Sequence, residues 1–457
     1  MINEDTIIAL ATPNGIGAIS LIRVSGKNSI STTEKLFKNK RNKKLSIQKT
    51  HTVHLGNILK DNNELDEVLV TLFKKPHSYT GEDIVEISCH GSTYIQKEII
   101  DLFIDNGVRL ANPGEFTLRS FINGKMDLNQ AEAVADLIAS DNESAHKLAI
   151  QHMKSGFSND LKNLRDELLH FSSMIELELD FSQEDVEFIE RVEFKKLINK
   201  IINELKNLID SFKSGNVLKN GISVAIAGKP NAGKSSLLNT LFNEDKAIVS
   251  EIPGTTRDSI EDSLIIDGIK FRFTDTAGLR ETNDIIESKG IEITKEKIKN
   301  ARILIYLFDA NDTNIKEIKK DIDSFKRDDL QIILVRNKID LINNNSELLD
   351  HLTNFEIFEI SANDIYSVSK LKNKLINQIE ILSPYTETIV SNSRHYEALS
   401  KALESILEVK QGLENNVSGD LLSVDIRNSI KYLAEITGEI TNDDVLGNIF
   451  ANFCIGK

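Results

Sequence analysis

The chain has 457 residues, 40% of them hydrophobic and 27% charged, with a formal net charge of −15. That content is comfortably globular and fills two or three cores, while the negative balance excludes attraction of the whole chain to RNA, so any RNA contact is local or shared with a partner. Only two cysteines are present, which excludes a disulfide framework; with no signal-type N-terminus and no long uncharged apolar run, the expectation is a reduced, cytoplasmic protein with no membrane association.

Residues 1–118 alternate short β-type runs (AISLIRVSG, VLVTLF, DIVEISCHG) with turn clusters and two short helical stretches, which predicts an α+β module with its own core. In DIVEISCH the two-residue period puts Val85, Ile87 and Cys89 on one face, so Cys89 is expected as a small buried hydrophobe, and His90 points away from it. The one basic stretch, Lys35 to Lys49, is either a solvated loop or a local RNA contact. Residues 119–215 turn helical, apolar at positions three and four apart in LNQAEAVADLIAS and in two longer stretches after it. Helical patterns return in 384–457, so one all-α domain is expected in two parts. The segment 216–383 would be inserted between them, as is easy when a domain's termini lie close together.

That insert carries the chemistry. Gly228 to Ser235, GKPNAGKS, follows an apolar strand-like run and precedes an apolar helical one. A loop tight enough to wrap phosphates needs glycines, inward N–H groups and a lysine for the outer phosphates. DTAG (Asp275, Thr276, Ala277, Gly278), NKID with Asn337, Lys338 and Asp340, and SAN with Ser361 and Ala362 follow in the order a nucleotide-binding α/β domain requires. Ser235 Oγ suits Mg²⁺, Asp275 suits the ion through water, and Gly278 admits the γ-phosphate. The Asp340 carboxylate accepts the N1–H and N2–H₂ donors of guanine and is repelled by the N1 acceptor of adenine, so GTP is the expected substrate. Asn337 and Lys338 would brace the ring and the loop, and the Ala362 N–H would meet the guanine carbonyl.

Where Ras-like GTPases carry a water-orienting glutamine after the DxxG glycine, this chain has Leu279. Hydrolysis is then very slow, or the charge stabilisation comes from elsewhere. Asn231 in the phosphate loop and the segment SEIPGTTRD, through its carbonyls and Thr255, are candidates to hold a monovalent cation, with Thr256 completing the Mg²⁺ shell. Such an ion would replace an arginine finger, which accelerates hydrolysis by a factor of order 10³ to 10⁵. Glu287 is the candidate for positioning or activating water, against the alternative of a solvated loop carboxylate. Expected nucleotide contacts thus run over Asn231, Ala232, Gly233, Lys234, Ser235 and Ser236, and over Ser250, Glu251, Ile252, Pro253, Gly254, Thr255 and Thr256, besides the three downstream motifs. The tail ends FCIGK, where Cys454 is either an exposed, reactive thiol or part of an apolar anchor.

From GIGAISLIRVSG near the start, through SYTGEDIVEISCHG, PGEFTLRSFINGKMDLNQAEAVADLI and the GTPase motifs GKPNAGKSSLLN, IPGTTRD, DTAGLR and NKID, to the tail FCIGK, the chain resembles the MnmE/TrmE family of tRNA uridine-modification GTPases along almost its whole length. The resemblance implies three parts. These are an N-terminal α+β domain (1–118) for homodimerisation and tetrahydrofolate binding, a discontinuous helical domain (119–215 and 384–457), and an inserted Ras-like P-loop GTPase domain (216–383). It implies K⁺ held by Asn231 and by Ser250, Ile252 and Thr255, and G domains that dimerise across their nucleotide faces. Arg23, Glu82, Lys125 and Lys457 match the positions that bind a folate one-carbon donor, 5,10-methylenetetrahydrofolate, for which 5-formyltetrahydrofolate is an analogue. Arginine and lysine suit its anionic tail, and a carboxylate suits its pterin N–H donors. With the FAD protein MnmG, in a heterotetramer, the family adds an aminomethyl-type group to C5 of the wobble uridine, and Cys454 is its required thiol. SAN stands where SAK is commoner, and Pro253 where many relatives have alanine. A GTP-dependent RNA or ribosome assembly switch is the alternative; it calls for a basic RNA-binding appendage rather than the acidic helices, folate-type domain and cysteine tail written here.

Overall fold

The computed structural model describes residues 5–154, 156–180, 191–243, 261–274, 298–311, 315–342, 356–382, 388–415, 417–441, 443–451, 453 and 456. The chain divides into two compact units, residues 1–138, 150–198 and 404–457 in the first and 139–149 with 199–403 in the second.

The first unit is built on seven strands: β1 (Ile7–Leu10), β2 (Ile19–Ser25), β3 (Phe37–Asn39), β4 (Thr52–Lys60), β5 (Asn63–Phe73), β6 (Ile84–His90) and β7 (Arg109–Leu110). Their order is β3-β4-β5-β6-β2-β1-β7, and every pair is antiparallel except β1 with β7. Asp61 and Asn62 turn the β4–β5 hairpin with φ of 51° and 66°, the left-handed pair that matches strand twist and that Asp and Asn tolerate. On β6, Val85, Ile87 and Cys89 are buried, as the two-residue period requires. They join Ile22, Val24, Val70 and Leu72 in a core completed by Ile99 and Phe103 of the Thr93–Asp105 helix. Each such buried side chain contributes roughly 1.5–3 kcal/mol, so a carboxylate at Ile87 would undo this layer. Burial pushes the Cys89 thiol up to about 11, which keeps it protonated and inert.

Helices from both sides of the insert meet in this unit. Leu128 and Ala131 of the Leu128–Ala139 helix pack with Phe450 and Phe453 from the end of the chain, and with Phe121 of the Glu115–Ile122 helix. The Gly156–Asp180 and Gly419–Thr437 helices pack on one another, with Arg427 donating to Glu176 at 2.9 Å. Gly438 ends the latter helix at φ 84°, where a Cβ would lie 2.8 Å from the Phe121 ring and from Leu128 Cβ. Only glycine both turns there and lets those side chains close.

The second unit holds six strands: β8 (Ile222–Gly228), β9 (Glu261–Ile266), β10 (Ile269–Thr274), β11 (Ile303–Asp309), β12 (Gln331–Asn337) and β13 (Ile357–Glu359), in the order β13-β12-β11-β8-β10-β9. All pairs are parallel except β9 with β10. A parallel sheet is covered on both faces, and β11 shows it: Ile303, Ile305 and Leu307 enter one core, Leu304, Tyr306 and Phe308 the other. Strand order reverses at β8, whose neighbours are β11 and β10. The carboxyl end of β8 is therefore the crevice where such sheets bind ligands.

Among the described residues no helix is long and apolar enough to cross a membrane.

Candidate functional site

At that crevice β8 runs through the phosphate loop into the Lys234–Asn243 helix. Gly228 has φ 148°, and a Cβ on it would lie 2.0 Å from Leu307 O; Gly233 has φ 97°, and its Cβ would lie 2.1 Å from Asn337 Nδ2. Both glycines are thus required by the approach of neighbouring strands as well as by the turn. Asn231 sits at φ 62°, a left-handed position its short polar side chain tolerates, and is exposed, as are Ser235 and Ser236 at the helix start. Lys234 Nζ donates to Gly228 O at 2.7 Å and to Lys229 O at 2.9 Å. The ammonium therefore rests on the carbonyls of its own loop, bonds it would exchange for phosphate oxygens.

Asn337, 1% exposed, ties three motifs together. Its Nδ2 donates to Ala232 O at 2.8 Å, and its Oδ1 accepts the Ala362 N–H at 2.8 Å. That amide, expected from sequence to face guanine, is engaged by Asn337 here. Thr240 Oγ1 adds a bond to Ala362 O at 2.6 Å, from the helix that follows the phosphate loop. Lys338, at φ 64°, donates through Nζ to Asp309 Oδ2 at 2.8 Å. Burial alone would raise the Asp309 carboxyl, but Lys338 and the Asn311 N–H hold it below the ordinary carboxylate range. Asp340 is exposed in the Ile339–Leu341 turn, and Ser361 is nearly buried, its N–H on Ser367 Oγ at 3.2 Å. Ser250, Glu251, Ile252, Pro253, Gly254, Thr255, Thr256, Asp275, Thr276, Ala277, Gly278, Glu287, Cys454 and Lys457 lie outside the described residues.

The first unit gathers a second cluster. Arg23 on β2 pairs with Glu86 on β6, Nε to Oε1 at 2.9 Å, while its guanidinium lies 5.3 Å from the Tyr79 ring centroid and 5.7 Å from that of Phe116. Arg23 Nη1 also reaches Gly456 O at 3.4 Å. Gly456 has φ 98°, and a Cβ there would lie 2.3 Å from Leu10 O, so the chain end passes close over β1 because it is glycine. Glu82 accepts from Ser25 Oγ at 2.7 Å and from Arg119 Nη1 at 3.2 Å. Arg119, 1% exposed, also donates to Asp5 Oδ1 at 2.7 Å and Glu115 Oε1 at 2.9 Å, and Arg109 bridges the same two carboxylates. The Arg109 hydrogen bond above all keeps Asp5 below its ordinary value; Glu115, which burial would raise, is held down by Arg109, the Asn112 N–H and Arg119.

Most of this Asp5–Arg109–Glu115–Arg119 network joins residues far apart in the chain and leaves no pattern in the sequence. The one signal available was Glu115 and Arg119 four apart in PGEFTLRSF, a spacing that puts them on one helix face. Lys125, exposed, packs its stem near Gly81 and donates to Pro76 O at 3.1 Å. Lone pairs remaining on Glu82 fit N–H donors of a heterocycle, and the Arg23 and Lys125 cations fit an anion.

A strand, phosphate loop and helix at a switch point, buttressed by an NKID asparagine, define a P-loop guanine-nucleotide domain within a multidomain GTPase. A family model described as the GTP-binding protein TrmE N-terminus matches residues 6–125, and one described as the MnmE helical domain matches 128–454. The tRNA modification GTPases MnmE of Flavobacterium johnsoniae and Flavobacterium psychrophilum are each 54% identical to this chain, and that of Bacteroides thetaiotaomicron is 52% identical; each alignment covers the whole of both proteins. Among solved structures, Aquifex aeolicus Era bound to GDP and aluminium fluoride is 26% identical and covers 41% of this chain and 67% of its own, at a TM-score of 0.27 too low to add weight. The chain belongs to the MnmE family of tRNA modification GTPases, and is a GTP hydrolase acting in tRNA modification.

Proposed function

We propose that this GTPase is potassium-dependent and, as a homodimer working with MnmG in a heterotetramer, modifies C5 of the wobble uridine of certain tRNAs to the (carboxymethyl)aminomethyl form with a tetrahydrofolate one-carbon donor. Mg²⁺ would be held by Ser235 and Thr256. K⁺ would be held by Asn231 with Ser250, Ile252 and Thr255, and would supply the positive charge that Leu279 cannot. Glu287 would position water, and Asp340 would read guanine. Arg23, Glu82, Lys125 and Lys457 would hold the folate, and Cys454 would be the thiol required for modification.

The observation that carries this is Gly456 O on Arg23. It supports a single site in which the sequence-terminal tail and the anion-binding arginine serve one substrate, a feature with no use in a bare nucleotide switch. Mass spectrometry of wobble nucleosides from a deletion strain tests it. Loss of the C5 modification, restored by the gene, is the expected result. An unchanged nucleoside pool with a ribosome-assembly defect would give the function to the RNA-assembly alternative.

A further inference from the structure

Next to Tyr79 the first unit carries an open pocket of about 520 Å³, walled by Thr50, His51, Phe73, His77, Ser78 and Lys125. Of these only Lys125 has a role assigned above. The wall is built rather than incidental. Thr50 Oγ1 takes the Lys74 N–H at 2.9 Å and lies 2.9 Å from His51 Nδ1, and the His51 ring stands edge-on to Phe73 with centroids 5.3 Å apart. His77 and Lys125 are exposed at the mouth, beside exposed Lys75 and Lys49. Lys74 Nζ donates to Ser46 O at 2.8 Å, which ties the basic stretch before residue 50 to this rim. The nearby carboxylate of Asp83 is occupied by the Lys75 N–H at 2.9 Å. In a chain of net charge −15, this is a local concentration of cations around an aromatic wall.

Resting on the folate assignment, we propose that this pocket is the subsite for the folate's tail. Phe73 and His51 would take the aminobenzoyl ring, while His77, Lys125 and the rim lysines would take a run of γ-linked glutamates, so that the protein selects polyglutamylated over monoglutamyl folate. The pocket adjoins Tyr79, whose ring also lies under Arg23, so a ligand gripped by Arg23 and Glu82 has its far end at this mouth. Its size falls in the range of about 300–1,000 Å³ usual for small-molecule sites. A nucleic-acid backbone instead needs an extended basic stripe, because its affinity comes from many phosphates neutralised in a row.

Calorimetric titration of the full chain with 5-formyltetrahydrofolate as monoglutamate and as pentaglutamate tests this without any variant. The pentaglutamate should bind about tenfold tighter, the sum of several exposed ion pairs, and the gap should narrow as salt rises. His77→Ala with Lys75→Ala should weaken the pentaglutamate more than the monoglutamate and bring the ratio toward one. Equal affinity of both ligands for the unaltered protein would overturn the tail subsite while leaving the folate assignment standing; binding of neither would remove both. A preference that survives the double substitution would put the tail elsewhere. Displacement of the pentaglutamate but not the monoglutamate by tRNA would reassign the rim to RNA.

Discussion

The phosphate loop and the N-terminal cluster are built by opposite means. In the loop the binding surface is backbone, shaped by Gly228 and Gly233; Lys234 is folded onto the loop's own carbonyls, and Lys229 turns away to Glu317 at 2.6 Å. In the N-terminal cluster the surface is side chain, and its charges are already paired: Arg23 with Glu86, and Arg119 with Asp5, Glu82 and Glu115. Backbone donors cost nothing to keep in water between turnovers, so a loop that loads and releases nucleotide can wait open. A buried arginine cannot wait unpaired, because an uncompensated charge there costs several kcal/mol. The loop is therefore a site completed by its ligand, and the cluster a site completed by the fold.

The largest expected effect separates the two chemistries. Cys454→Ser should abolish tRNA modification and leave GTP hydrolysis near normal; fully modified tRNA in that variant, measured by nucleoside mass spectrometry, would remove the thiol from the reaction. Next comes the cation. Replacing Na⁺ by K⁺ should raise turnover by about 10³, the low end of what an arginine finger supplies, and Asn231→Ala should erase the difference. Equal phosphate-release rates in both salts would break the comparison, since the loop would then need no borrowed charge.

Arg119→Met should destabilise the first unit by about 3–5 kcal/mol, read by denaturant unfolding, because three carboxylates lose a partner of 1% exposure. The same variant has a pH signature. Asp5 and Glu115 are held below their ordinary values in the folded state, so their stabilisation is fully present above the unfolded carboxylate range near pH 4 and is lost as pH falls through the lowered folded values. Wild-type stability should fall with acid across that window, and Arg119→Met should flatten the slope; parallel curves would show that the network does not depend on this arginine. The smallest effect is at the base. Asp340→Asn should weaken GTP roughly ten- to a hundredfold by losing a charged acceptor, with xanthine nucleotides gaining in proportion. An unchanged guanine preference would mean that Asp340, exposed in its turn, does not read the base.

How far the sequence could be read follows from the same contrast. The phosphate loop was legible because its chemistry is local: eight consecutive residues carry the glycines, the lysine and the hydroxyl, flanked by a strand and a helix that their own periodicities announce. The alternation in β6 likewise gave Cys89 its burial without help from the rest of the chain. The engagement of the Ala362 N–H by Asn337 was not legible, since it depends on how closely β12 brings the NKID loop to the SAN loop.

What the chain alone determined, then, is what rests on near neighbours in sequence or on a residue's own φ, namely the loop glycines and the buried face of β6. What only the tertiary structure decided is the pairing of groups far apart in the chain. Arg119 came with one local partner, Glu115, but its contacts with Asp5 and Glu82, and that of Arg23 with Gly456, exist because antiparallel strands and returning helices bring those residues together. The physical reason is that a buried ionic network is selected by geometry and desolvation at the end of folding, and neither quantity is written in the spacing of residues along a chain.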